Sequence, residues 1–317
     1  MTHEDVVMEA ANPKDSNARD LDPFRGVDFS KLERSLRRPR TFMSMLLSAI
    51  VAAMTLLALI PLFSVVGLLL WRGGRKLSIA AFTQLPPAPL EQHGGFGNAI
   101  LGTLVIVGIA ALISIPIGVL SAIYLAESKP GSRVASTVRF AATVLTGFPS
   151  ILAGVFAYGA VVMTTGGYSA VAGAAALSIL MLPTILLTAE DAIRMVPAKM
   201  KEAAIGMGAT DTQAVWMVLL PTAVPRILTG VMLAIARGAG ETAPLLFTAL
   251  FSNYWLLWHG HIKLMQPTAS LAVLIYNFAG MPFANQEEMA WAAALVLVAL
   301  VLITNLIGQS LSRRQVQ

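Results

Sequence analysis

Long uncharged apolar runs alternate along this chain with short charged stretches, and the run lengths set the architecture. Thr41 to Trp71 holds no charged residue over 31 positions. That is too long for a signal-peptide core, and no small-residue cleavage site follows it, so it predicts a membrane helix that stays attached. A polar stretch over 72–98, with Pro86, Pro87 and Pro89, separates it from a second uncharged run over 99–126. Phe140 to Ala189 is then free of charge for 50 residues, more than twice the ~20 that cross a bilayer once. Two helices must share it, over 137–163 and 168–189, with Thr164-Thr165-Gly166-Gly167 as the turn between them. A charged segment over 190–221 leads to a fifth span over 222–250, a loop over 251–288 and a sixth span over 289–311. The expected fold is an all-α polytopic membrane protein with six transmembrane helices.

Composition sharpens this picture. The 317 residues are 56% hydrophobic and only 12% charged, with a mean hydropathy of +0.72, against roughly a quarter charged in soluble domains. Residues 1–40 hold 8 basic and 8 acidic side chains and show no apolar periodicity. They read as a disordered tail ending in a basic, membrane-surface segment at Lys31, Arg34, Arg37, Arg38 and Arg40. The formal net charge of +5 reflects orientation and gives no ground for nucleic-acid binding. With the N-terminus inside, 14 Lys and Arg side chains fall in cytoplasmic segments and 4 in outer ones, Arg72, Arg75, Lys76 and Lys263. That bias predicts N-in, C-in topology. The cluster at Arg72, Arg75 and Lys76 reads as headgroup anchoring by snorkelling side chains. With no cysteine in the sequence, disulfides and thiolate metal sites are excluded.

The segment from Pro197 to Pro221 reads as two short helices. One is opened by Pro197 and stopped by Gly206 and Gly208, and the other is capped by Asp211 and stopped before Pro221. Glu202-Ala203-Ala204, then Gly208, then Val218-Leu219-Leu220-Pro221, resembles the EAA loop of bacterial ABC importer permeases. Val218 stands where that pattern commonly has Ile. The resemblance implies that Lys201, Glu202, Ala203, Ala204, Gly208 and Asp211 couple to a separate ATPase subunit. No Lys in the chain follows a Gly, so a G-x-x-x-x-G-K-[ST] phosphate loop is absent and ATP with its Mg is expected on that partner. No cofactor is expected on this chain.

Apart from Arg139 and Arg226 at the cytoplasmic span ends, two charges fall inside the hydrocarbon, Arg237 and Glu241, within Ala234-Ile-Ala-Arg-Gly-Ala-Gly-Glu-Thr-Ala-Pro-Leu-Leu-Phe. An arginine at mid-span costs about 2.5–3.5 kcal/mol on insertion scales, so it signals function. The i,i+4 spacing lets the pair meet on one helical face, small residues leave room beside it, and Pro244 frees a carbonyl near Gly240. The segment running on through Thr242 is similar to the phosphate-specific permeases of the Pst system. So are Ile123-Tyr124-Leu125-Ala126-Glu127, Phe148-Pro149-Ser150-Ile151 and Pro282-Phe283-Ala284, and the long N-terminal tail is the departure. The resemblance implies a type I ABC importer permease of the bacterial cytoplasmic (inner) membrane. Its partners would be a second permease subunit, two ATPase subunits, an extracytoplasmic phosphate-binding protein and membrane lipid. Inorganic phosphate would meet Arg237, Glu241 and Thr242. Arg237 offers a fork of donors matched to phosphate oxygens. Glu241 would orient it and accept the proton of a partly protonated phosphate, which sulfate lacks.

Other features carry less. Pro149-Ser150 predicts a kink, and the small residues from Ala170 to Ala176 predict close helix packing. His259 and His261 read as loop residues without a third metal ligand, and Trp255 and Trp258 as interfacial anchors. A secondary phosphate transporter or an anion channel is the rival class, and an importer for another oxyanion, molybdate or sulfate, is the nearer alternative.

Overall fold

The computed structural model describes residues 39–129, 131–258 and 261–314, so the tail expected over 1–40 lies outside the described residues apart from its last two positions. The chain divides into two compact units, residues 1–63 and 64–317. Helix α1 (Pro39–Leu68) tolerates Pro61 inside it, and its side chains from Phe42 to Phe63 are exposed except for the half-buried Leu59. A helix apolar on every side suits lipid or protein, not water.

In the second unit a π-helical turn at Leu69–Gly73 leads into α2 (Gly74–Lys76), and α3 (Ile79–Thr83) follows, with Ser78 accepting from the Ala81 N–H as its cap. Helix α4 (Gly97–Glu127) and, further on, α8 (Ala170–Arg194) form the centre. They run parallel. Ile106 lies by Gly173, the Ser178 hydroxyl reaches the Ala110 carbonyl, Ile185 fills the space beside Gly118, and Arg194 reaches the Leu125 carbonyl. The core between them is Ile106, Ala110, Ala174, Leu177, Met181 and Ile185, all buried. The alanine-rich start of α8 allows this approach, as small residues do between membrane helices.

Between these parallel helices the chain must return, and the span expected as one helix over 137–163 is instead two. Helix α5 (Arg133–Thr146) and the stretch made of α6 (Ser150–Ala157), a π-helical turn and α7 (Met163–Thr165) meet at 107°. The cause is local: Pro149 restricts Phe148 to extended backbone and itself caps α6 in an extended conformation. Gly166 then turns in the left-handed region, φ 78°. At its far end Ser169 donates to the Thr248 carbonyl, while α4 and α8 finish side by side, so the bent pair carries the chain across once. Among the described residues five helices are long and apolar enough to span, six with this pair.

Beyond α8 come α9 (Ala198–Gly206), α10 (Asp211–Ala214) and α11 (Leu220–Gly240). Two expectations change here. Thr210, not Asp211, caps α10, exchanging hydrogen bonds with Gln213 in a capping box. The helix does not stop before Pro221: a π-helical turn at Val215–Leu219 joins it to α11, where Pro221 sits in the first turn and needs no N–H partner. The fifth span also ends early. Continuing the helix would drive the Pro244 ring into the Gly240 carbonyl, and α11 stops at Gly240, followed by the short α12 (Ala243–Leu246).

The remaining elements are a hairpin of β1 (Leu257–Trp258) and β2 (His261–Ile262), then α13 (Leu271–Ala279) and α14 (Ala284–Arg314). The start of α14 faces the turn after α1. Arg72 pairs with Glu287 at 3.3 Å and lies over the Trp291 ring, and Lys76 pairs with Glu288 at 2.8 Å. Arg75 lies over the Trp71 ring, so all three cations expected as headgroup anchors have protein partners.

Candidate functional site

Helix α11 runs antiparallel to α8, since Gly230 lies against Thr188 and Gly238 against Met181. Met181 is near the middle of α8, so the end of α11 lies deep in the bundle although it is a helix terminus. Arg237 is in the last turn of α11, where a cation opposes the negative end of the helix dipole. Glu241 is the next residue beyond the helix, extended at φ −74°, ψ 126°. Its carboxylate Oε1 stands 3.6 Å from Arg237 Nε, with the Glu side chain 17% exposed and the Arg side chain 46% exposed. The backbone of Thr242 starts α12, its carbonyl accepting from Leu245 and Leu246. The three residues expected at the substrate site are thus consecutive in space around one helix break.

What holds the break is a close backbone approach. A Cβ added to Gly154 of α6 would lie 2.6 Å from Pro244 Cα and 3.0 Å from its carbonyl oxygen. Leu245 and Ala249 pack on Gly173 of α8 in the same way. Beyond Pro221, the exposed residues of α11 form one stripe, Thr222, Arg226, Thr229, Leu233, Arg237 and Gly240, at spacings of three and four. A half-exposed arginine at mid-depth on that stripe is costly against lipid tails, so the stripe faces water or protein.

The coupling loop has its own geometry. Gly208 has φ +96° and ends α9: Ala209 donates to the Ala204 carbonyl and Gly208 to the Ile205 carbonyl, the paired bonds of a Schellman motif. Gly206 is simply the last helical residue. Ala204 is buried, whereas Glu202, Ala203, Gly208 and Asp211 are exposed and Met207 is 84% exposed. Lys201 points the other way. It pairs with Glu127 at the end of α4 and stands 3.6 Å from Asp211. Its ammonium is held above the ordinary lysine value, chiefly by the hydrogen bond to Glu127. Of the six residues expected to couple, four form the exposed tip and Lys201 ties that tip to a central helix.

One group escaped the sequence reading. Glu190, expected in the loop, lies in the last turns of α8 and is 3% exposed. Arg139 Nη2 donates to its Oε1 at 2.5 Å and Arg194 Nε at 2.9 Å. The i,i+4 spacing of Glu190 and Arg194 was the available signal; Arg139 is too distant in sequence to have been found. Among the described residues no group of three His, Cys, Asp or Glu could hold a metal. His261 is exposed in β2, and His259 lies outside the described residues.

Residues 114–317 match the family described as "Binding-protein-dependent transport system inner membrane component". Over 238 residues the chain is 43% identical to the "Phosphate transport system permease protein PstA" of Haemophilus influenzae, covering 75% of this chain and 82% of that protein. It is 35% identical over 255 residues to the "Probable phosphate transport system permease protein PstA" of Methanocaldococcus jannaschii, covering 80% and 88%. Its fold is similar to a chain of a bacterial alginate ABC transporter crystallised with its periplasmic protein, with TM-score 0.61, 17% identity, and coverage of 89% and 98%.

Proposed function

From the premise that the chain belongs to the inner membrane component family of binding-protein-dependent transport systems, we propose that it is the permease subunit of an ATP-driven phosphate importer. The observation that carries the substrate is the 43% identity to a phosphate permease over 82% of that protein's length. The chain is a multi-pass inner membrane protein and a transporter component, not an enzyme. We assign its partners as a second permease, two ATPase subunits that bind ATP with Mg, and an extracytoplasmic phosphate-binding protein.

In this reading the α11 stripe is half of the translocation path. Arg237 presents its guanidinium N–H groups to phosphate oxygens, and half of its side chain is free to do so. Glu241, more buried, fixes the Arg237 fork through the 3.6 Å pair. It also accepts a hydrogen bond from a protonated phosphate oxygen. Sulfate at neutral pH has no proton to give and meets only repulsion from that carboxylate. Thr242, at the start of α12, adds a hydroxyl beside the pair. On their own Arg237 and Glu241 sum to zero charge, so a cation from the second permease completes the attraction. The exposed tip at Glu202, Ala203, Gly208 and Asp211 docks on the ATPase, and ATPase closure pulls α9, with Lys201 passing that movement to α4.

The test is phosphate uptake by cells lacking this chain and complemented with it. Wild-type restores uptake and Arg237→Lys does not, because an ammonium cannot reproduce the planar fork. Uptake at the wild-type rate by the lysine form would remove Arg237 from the mechanism. No uptake with the wild-type chain would remove phosphate as substrate.

A further inference from the structure

Below the bundle, on the side where Lys201 meets Glu127, lies an open cavity of about 850 Å³ that the transport reading does not use. It is formed by the turn between α4 and α5 and by the ends of α5 and α8. Lys129, Arg133, Arg139 and Arg194 line it, with hydroxyls from Ser136 and Thr137. We propose that this cavity is an oxyanion site on the side of the coupling loop that binds a phosphate group, either free inorganic phosphate or the phosphodiester of an anionic lipid headgroup.

The first argument is charge. Four cations line the cavity, and the acidic groups facing them are Glu190 and Asp191, since Glu127 is engaged by Lys201. The surplus of two positive charges matches a phosphate dianion. Neither Lys129 nor Arg133 forms an ion pair with a described residue, and both are exposed. The second argument is pre-organisation. The buried Glu190 grips Arg139 by Nε and Nη2 and Arg194 by Nε, while Arg194 Nη2 reaches the Leu125 carbonyl. Both guanidinium groups are thereby fixed at the cavity wall, with 40% and 49% of the side chains still exposed. Nη1 of each has no hydrogen-bond partner among the described residues. Locked donors lose little freedom when a ligand arrives, which is what a phosphate site needs. Simple orientation of the protein by positive charge requires cations at this membrane face, but not a buried carboxylate that aims two of them into one cavity.

This goes beyond the transport reading and rests on it only for sidedness: imported phosphate arrives on this face, and so do anionic headgroups. The test uses the assembled importer in nanodiscs of phosphatidylcholine alone or with phosphatidylglycerol. Binding of radiolabelled inorganic phosphate is measured at equilibrium, and retained phosphatidylglycerol is counted by native mass spectrometry. Three forms are compared: wild-type, K129A/R133A, and Arg237→Lys. If free phosphate is the ligand, one equivalent bound in phosphatidylcholine weakens at least about tenfold in K129A/R133A and persists in Arg237→Lys. If a headgroup is the ligand, the double variant instead loses one retained phosphatidylglycerol. Unchanged phosphate and lipid occupancy in K129A/R133A overturns the proposal, as does loss of the ATPase subunit alone, which would make these residues a docking contact. Both positions are exposed, so an unchanged melting temperature checks that the double variant is folded. Failure of the Arg237→Lys form to lose uptake would count against the transport site and leave this result intact.

Discussion

At the scale of single residues, three charges separate by how much protein surrounds them. Glu241 is the more buried member of its pair, so removing its charge changes selectivity more than folding. Glu241→Gln is expected to keep phosphate binding by Arg237 while narrowing the preference for phosphate over sulfate. Competition of sulfate against phosphate uptake measures it, and an unchanged ratio would end the discrimination role. Glu190 behaves differently, because it is buried and held by two arginines. Glu190→Gln leaves two fixed cations without their counter-charge and is expected to destabilise the chain by about 2–3 kcal/mol. That is below the 3–5 kcal/mol of fully enclosed pairs, since both arginines reach solvent; a thermal shift of the detergent-solubilised protein reads it. Lys201 lies between these cases. Its raised pKa means that the stabilisation from its partners is complete below the ordinary lysine value of about 10.4 and is lost only as pH rises through the raised value. ATP-driven uptake is therefore expected not to titrate through Lys201 near neutral pH. Lys201→Glu should uncouple ATP hydrolysis from uptake, and Lys201→Glu with Glu127→Lys should restore it.

Elements show what a sequence can and cannot convey about such a protein. The apolar runs were legible because a bilayer enforces a minimum length, and Gly208 was legible as a stop because only glycine sits at φ +96° without strain. Gly208→Ala is accordingly expected to cost about 1–2 kcal/mol at the end of α9 and to lower ATPase copurification. The bend of 107° between α5 and α6 was not legible in degree. Pro149 announces a break, but the angle is set by where α5 and α6 find room against α8. The continuity from α10 into α11 was missed for the opposite reason, since a proline in a first turn looks locally like a proline that ends a helix. At the candidate site the residues were legible and their setting was not. Arg237 and Glu241 stand out as charges in an apolar run, yet the helix between them ends, and what fixes that end is Gly154, eighty-seven residues before Glu241. Gly154→Leu is expected to push Pro244 and the break away from α6 and to abolish uptake, while a variant at the open Gly159, with nothing near its Cβ position, does not.

In the proposed importer the chain supplies half of a pathway, and its surfaces offer a test of which face lines it. The stripe from Thr222 to Gly240 on α11 and the outward side of α14, with Leu302 and Leu306 exposed, are both uncovered in the single chain. The first carries two arginines, Arg226 and Arg237. If the stripe lines a path between two permeases, water reaches it in the assembled importer. If α11 merely packs in lipid, water does not. The sequence contains no cysteine, so single cysteines can be introduced without a background. Thr229→Cys and Leu233→Cys are expected to react with a charged, membrane-impermeant thiol reagent applied to inside-out vesicles, and Leu302→Cys to remain unlabelled. Saturating phosphate with ATP should change the labelling rate at Leu233→Cys, four residues before Arg237, more than at Thr229→Cys. Equal labelling at positions 233 and 302 would mean that α11 does not face an aqueous path. Arg237 would then hold a packing role, in which the 3.6 Å pair with Glu241 neutralises two charges within the bundle and binds no substrate.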